Sequence, residues 1–152
     1  MQKYIIILTY PNVNQNIMSK YQTSSHVTYN IGYHVVFSTK YRYNLLRYSA
    51  ANTLKELFKE TAAQAGIQIR TMEIMPDHIH LFITAPPSLP VTDFVRRLKG
   101  RTSFILRRRF EYLRKYPSLW TRSFFIESVG HISEKTVVKY IENQKSALSS
   151  PG

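Results

Sequence analysis

His78 and His80 stand two residues apart in the run Met75-Pro76-Asp77-His78-Ile79-His80-Leu81. Successive side chains of a strand point to opposite faces, so both imidazoles project from one face and Ile79 from the other. Two convergent imidazoles are two-thirds of a metal site when a third ligand arrives from elsewhere. The plainer reading of an isolated His-x-His pair is two polar residues on an exposed sheet face; the surrounding motif favours the metal. A histidine-triad nucleotide hydrolase needs a third alternating His, and position 82 is Phe. His26, His34 and His131 fall at no metal-ligand spacing and read as structural.

The other half of a reactive constellation comes from the C-terminal segment. Tyr140 and Gln144 are four residues apart, hence neighbours on one face of a helix. A tyrosine beside a metal can act as a nucleophile toward phosphorus. Its phenol is neutral at pH 7, with a pKa of ~10, so attack needs a Lewis acid or a base. The chain holds 11 tyrosines, so composition alone does not single out Tyr140.

The elements that must position these residues alternate. Residues 27–38 are rich in β-branched and aromatic side chains and read as a strand. From Tyr48 to Ala65 a helical stripe of Leu54, Leu57, Phe58, Ala62 and Ala63 ends at Gly66, a suitable residue just past a helix. Residues 67–75 alternate apolar and polar as a half-buried strand does. They join a second strand, His78 to Thr84, through the turn Pro76-Asp77. After the loop holding Pro86, Pro87 and Pro90, the pattern predicts two helices, Val91–Lys99 and Thr102–Tyr112, broken near Gly100. Residues 122–129 read as a further strand. Glu134–Leu148 reads as an amphipathic helix behind a Ser133 N-cap. Without its last helix this order is the split β-α-β arrangement of ferredoxin-like domains. The expected fold class is therefore α+β: a ferredoxin-like (RRM-like) antiparallel sheet with helices on one face, plus a C-terminal helix carrying Tyr140. That fold by itself decides nothing about activity.

Composition narrows the function classes. The 152 residues suit one domain, with residues 26–148 as its body. The Asn-rich residues 1–25 read as a peripheral extension, within which Met18 is a candidate natural start. With no Cys, disulfides, thiolate metal sites and a cysteine nucleophile are excluded together. The run Ile5-Ile6-Ile7-Leu8 is too short for a membrane span or secretory core, so a soluble intracellular protein without membrane association is expected.

Lys and Arg total 21 against 9 Asp and Glu, a net charge of +12 that points to a polyanion. Arg96, Arg97, Lys99, Arg101, Arg107, Arg108, Arg109, Arg114 and Lys115 crowd one short window, interleaved with Phe94, Leu98, Phe104, Leu106 and Phe110. That pattern suits a packed helix whose outer face follows a phosphate backbone, rather than a merely solvated face.

Five motifs occur in order: Tyr41-Arg42; Met75-Pro76-Asp77-His78-Ile79-His80-Leu81; Leu98-Lys99-Gly100-Arg101-Thr102-Ser103; Val129-Gly130; and Tyr140-Ile141-x-x-Gln144. Together they resemble the single-tyrosine HUH transposases of the insertion sequence 200/605 group, over roughly residues 27–148. The resemblance implies cutting and rejoining of single-stranded DNA at hairpin-bearing ends of a mobile element, without ATP. It makes His78, His80 and Gln144 ligands of a divalent ion, Mg²⁺ or Mn²⁺; Asn143 is a weaker fallback on the residues alone, since it lies about 100° from Gln144 around the helix. It makes Tyr140 the nucleophile, giving a 5′-phosphotyrosine and a free 3′-OH. It also implies a homodimer in which the tyrosine helix of one subunit completes the histidine site of the other, working at the nucleoid in a prokaryotic cytoplasm. DNA contact is expected from Lys99, Arg101, Arg107, Arg108 and Arg109, with Arg42 and Arg47 weaker candidates. Lys99-Gly100 would sit at a helix break where backbone approaches phosphate. Tyr112, Tyr116 and Trp120 read as core packing.

Two other readings stay open on sequence. One is a related HUH nuclease that processes repeated chromosomal hairpins. The other is a non-catalytic nucleic-acid binder. The second is disfavoured by the joint presence of His78, His80, Tyr140 and Gln144, which binding alone does not require.

Overall fold

A computed structural model describes residues 31–129 and, N-terminal to them, the strands β1 (Gln22–Thr23) and β2 (Thr28–Tyr29). The expected helix Glu134–Leu148, and with it Tyr140, Asn143 and Gln144, lies outside the described residues, as do His26 and His131. The elements that follow are β3 (Gly32–Ser38), α1 (Tyr48–Ala65), β4 (Gln68–Ile74), β5 (His78–Thr84), α2 (Val91–Arg109) and β6 (Phe125–Val129). A 3-10 turn, Lys40–Arg42, follows β3, and another, Glu111–Leu113, follows α2. β1 and β2 pair with each other, so the 25/26 boundary expected from sequence falls between the strands of a small hairpin.

The main sheet runs β4-β5-β3-β6, antiparallel throughout, which is the ferredoxin-like order. Alternation along the strands sorts the side chains. Val35 and Phe37 of β3, Met72 and Ile74 of β4, and Ile79, Leu81 and Ile83 of β5 join one buried cluster with the helices. His34, Val36 and Ser38 take the opposite face of β3, in register with Phe82, His80 and His78 of β5. β4 and β5 meet in the expected hairpin, closed by Met75 N–H donating to the His78 carbonyl.

α1 buries Ala50, Ala51, Leu54, Leu57, Phe58, Thr61 and Ala62. It stops at Gly66, which adopts φ +70° and donates its N–H to the carbonyls of Ala62 and Ala63. A side chain there would meet the following carbonyl, so this is a glycine position.

The region after Pro90 departs from expectation. Val91–Arg109 is one continuous helix, not two. Val91, Phe94, Val95, Leu98, Thr102 and Leu106 keep one buried stripe across Gly100. A helical glycine costs up to ~1 kcal/mol relative to alanine, while each buried apolar side chain contributes about 1.5–3 kcal/mol, so burial wins. Gly100 is exposed, and a Cβ there would meet nothing within 4 Å, so no close backbone approach explains it.

β6 also begins later than expected. The carbonyls of Thr121, Arg122 and Ser123 turn toward Lys99, which removes them from the sheet ladder. Trp120 packs edge-on against Phe37 and donates to Thr102 Oγ1 at 3.0 Å, in the core as expected. Tyr112 and Tyr116 pack at the edge of that core, half-buried. No helix among the described residues is long and apolar enough to cross a membrane.

Candidate active site

β5 carries His78 and His80 on the face away from the helices, with ring centroids 5.1 Å apart and nearly perpendicular. Both Nδ1 atoms are engaged. His78 Nδ1 lies 2.6 Å from Asp77 Oδ1, and His80 Nδ1 lies 3.1 Å from Nε2 of His34 on β3. The other oxygen of Asp77 accepts from Arg42 Nε at 3.0 Å. Burial alone would raise the Asp77 carboxyl, but the hydrogen bonds and charges of His78 and Arg42 outweigh it and hold the group below its ordinary range. Asp77 is therefore a carboxylate at neutral pH and accepts the His78 Nδ1–H. That leaves the His78 lone pair on Nε2, the tautomer a metal ligand needs.

His34 performs the matching task for His80. The two rings stack at 5.3 Å and 10°. Burial lowers the His34 pKa more than the nearby Glu127 carboxylate raises it, so a neutral ring faces His80. When His34 Nε2 accepts from His80 Nδ1–H, the lone pair of His80 likewise resides on Nε2. Glu73, in register with His80 across β4, adds a buried carboxylate to the same face, and Phe125 of β6 meets His34 edge-on.

Sequence reasoning found the two imidazoles but not their supports. Asp77 was visible beside His78, although its side-chain direction was not. His34 is 46 residues from His80, and only the β3–β5 register joins them. Among the described residues no three His, Cys, Asp or Glu side chains form a group that could hold a metal ion.

The expected DNA-contact residues divide. Lys99 points inward, 8% exposed, and its ammonium donates to the carbonyls of Thr121, Arg122 and Ser123 at 2.6, 3.1 and 3.1 Å. Phe37 and Phe124 face the same ammonium, and burial pulls its pKa down to about 8. Lys99 is thus a clasp on the segment before β6, rather than a cation on the outer face beside a helix break. Arg101 ties α2 to α1 through Glu60 at 3.1 Å and Thr61 at 2.6 Å.

Arg108 and Arg109 are exposed, and Arg108 lies over the exposed Phe104 ring. With Arg107 and Arg114, Phe104 and Arg108 line an open depression of about 560 Å³. Arg107 Nε is buried there without a hydrogen-bond partner among the described residues. Arg42 is exposed but held by Asp77. Arg47, also exposed, lies over the Tyr112 ring.

Residues 27–144 match the family model described as "Transposase IS200 like". The chain belongs to the IS200-like transposases. It is 36% identical to the ISDra2 transposase TnpA of Deinococcus radiodurans over 119 residues, covering 76% of this chain and 85% of that one. It is 28% identical to the transposase for insertion sequence element IS200 of Salmonella typhimurium, covering 84% and 85%. Among solved structures, a candidate transposase from Deinococcus radiodurans superposes with TM-score 0.66 at 33% identity, over 81% of this chain and 97% of that one. A REP-associated tyrosine transposase bound to a REP hairpin shares the fold, with TM-score 0.55 at 14% identity, over 79% and 69%. Membership of the IS200-like transposases implies DNA cleavage and transfer.

Proposed function

We propose that this transposase cleaves and rejoins single-stranded DNA through a covalent bond to Tyr140. One observation carries the reading: His78 and His80 share a sheet face with both Nδ1 atoms engaged, by Asp77 at 2.6 Å and by His34 at 3.1 Å. Imidazoles on a merely solvated face have no need of such supports, whereas metal ligands characteristically have them. The donor set fits a divalent ion, Mg²⁺ or Mn²⁺, held by His78, His80 and the amide oxygen of Gln144; nitrogen donors favour Mn²⁺. When bound, such an ion supplies Lewis-acid polarisation of a phosphoryl oxygen.

The chain's own residues do the rest. The Tyr140 phenol oxygen attacks the scissile phosphorus, forming the Tyr–O–P bond as the bond to the 3′ oxygen breaks. The phenol proton is lost to solvent or a base, and the departing 3′ oxygen takes one up, giving a 5′-phosphotyrosine and a 3′-OH. Phosphodiester energy is retained in the covalent link, so a later 3′-OH can reverse the step. Arg107, Arg108 and Arg109 act on the DNA backbone, where each cation releases condensed counterions. Arg42 orients Asp77 and meets the strand beside His78. Lys99 and Arg101 act indirectly, by holding the frame that carries these groups. The DNA is a single strand with hairpin ends, and the working unit is a homodimer with composite sites at the nucleoid of a prokaryotic cell. Identity of 36% to a named transposase favours mobilisation of an element over processing of chromosomal hairpins.

The test is a denaturing gel of the protein with single-stranded DNA bearing the element's end and Mn²⁺ or Mg²⁺. Wild type is expected to give a covalent band. Tyr140→Phe is expected to lose it while still binding the DNA; a band in that variant would overturn the assignment.

A further inference from the structure

Where the chain leaves β3 it makes the 3-10 turn Lys40–Arg42, with Tyr41 and Arg42 both at φ +57°. Residues with a Cβ are disfavoured there by the clash with the following carbonyl, and neither is a glycine. The turn places Arg42 against Asp77 at 3.0 Å and leaves Tyr41 at the surface, 62% exposed, beside Tyr43, 50% exposed. The Tyr41 and Tyr43 rings are 5.5 Å apart and tilted by 50°. Tyr43 in turn lies 5.8 Å from Tyr116 at 61°. A cation lies over the ring at each end, Lys40 Nζ 5.2 Å from the Tyr41 centroid and Lys115 Nζ 5.3 Å from that of Tyr116.

Both ends of this row lead somewhere. Arg42 joins it to His78 through the shared carboxylate of Asp77. At the far end Arg114 adjoins Lys115 and Tyr116 in the chain and donates to the Arg108 carbonyl at 3.1 Å, beside the arginine-lined depression. Exposed rings contribute little to a core, and a scatter of them would need no explanation. Two of them, Tyr41 and Tyr43, in line with the half-buried Tyr116, flanked by cations and ending at the candidate reacting centre, form the combination that unpaired nucleic acid recognises: flat faces for bases and charges for phosphates.

We propose that Tyr41, Tyr43 and Tyr116, with Lys40 and Lys115, form a stacking track on which unpaired bases of single-stranded DNA lie as the strand passes to His78. The track rests on the reading of His78 and His80 as the reacting centre. It takes bases of any sequence, because every base has a π-face. It rejects duplex, whose bases are already stacked inside. The left-handed turn is the device that turns Tyr41 outward while Arg42 stays on Asp77.

The experiment is fluorescence anisotropy of the full chain, without added metal, on a short oligothymidylate and on an abasic oligonucleotide of equal length. Tyr41→Ala/Tyr43→Ala is expected to weaken oligothymidylate binding about 100-fold, roughly tenfold per ring. Binding of the abasic strand should hardly change, and Tyr43→Phe should bind as wild type. Equal weakening on both oligonucleotides, or no weakening, overturns the track.

Tyr41→Gly separates folding from binding. It is expected to raise the melting temperature, since glycine tolerates this φ, and still to weaken oligothymidylate binding. Wild-type affinity in that variant would mean that the turn serves the fold alone, and would overturn the track. The covalent-adduct gel on the same samples tells the two readings apart. Base-dependent loss of binding without any wild-type adduct would leave the track standing and sink the phosphotyrosine. A normal adduct with unaltered oligothymidylate affinity would do the reverse.

Discussion

The two faces of β5 carry residues from the same seven-residue strand, yet they do opposite work. Toward the helices, Ile79, Leu81 and Ile83 are at most 1% exposed and sit among apolar neighbours from every layer. Toward the other side, His78 and His80 meet Asp77, His34 and Glu73, groups that would be costly in such a core unless paired. Phe82 shows that this second face is not simply wet: it is 1% exposed, lies in register with His34, and stands outside the main apolar cluster. The comparison teaches that a period of two divides stability from chemistry residue by residue. A change at one position should therefore disturb one property and largely spare the other.

That separation can be pushed hardest at Ile79. Ile79→Ala removes a fully buried side chain and is expected to cost about 2–5 kcal/mol in denaturant unfolding, while the protein that remains folded still forms the DNA adduct. Folded protein without adduct would mean that the two faces are not independent.

Asp77→Asn probes the other face. An amide can offer His78 a donor in place of an acceptor, which favours the wrong tautomer. Adduct formation is expected to slow by about 10- to 100-fold with little change in melting. Unchanged rates would show that Asp77 does not orient the ring.

Lys99 sharpens the comparison from a third place, because it is a charge inside the apolar side. Lys99→Met strips three carbonyls of their donor and is expected to cost about 1–3 kcal/mol. Its pKa is lowered in the folded chain to about 8 from 10.5. Between those values the unfolded chain holds more protons, so the contribution of this group to stability rises with pH. The melting-temperature gap between wild type and Lys99→Met should widen from pH 7.5 to 9.5. Parallel profiles would mean that the three carbonyls keep the ammonium charged across that range.

Much of this frame is legible in the sequence, for physical reasons. Period-2 alternation in residues 67–75 located β4, and the Pro76-Asp77 turn marked the hairpin that leads into β5 from His78 to Thr84. Gly66 marked the end of α1 because a left-handed residue is needed there. Gly100 misled, since a glycine reads as a break locally while the stripe Phe94-Leu98-Thr102-Leu106 continues through it. Lys99 misled for a related reason. Its charge suggested solvent, but its helical phase places it beside Leu98 and Thr102, where the carbonyls of residues 121–123 supply the partners. The support of His80 by His34 could not be read at all, because cross-strand register is a property of the sheet and not of either strand. Tyr41 was visible only as a motif letter; its exposure depends on a φ that no composition reveals.

The most direct measurement is the metal-dependent adduct gel on His80→Ala, run beside its unfolding curve. Our account expects no covalent band with Mn²⁺ or Mg²⁺ and a melting temperature far closer to wild type than that of Ile79→Ala. A wild-type yield of adduct from His80→Ala would contradict it, because the face assigned to chemistry would then not be performing it.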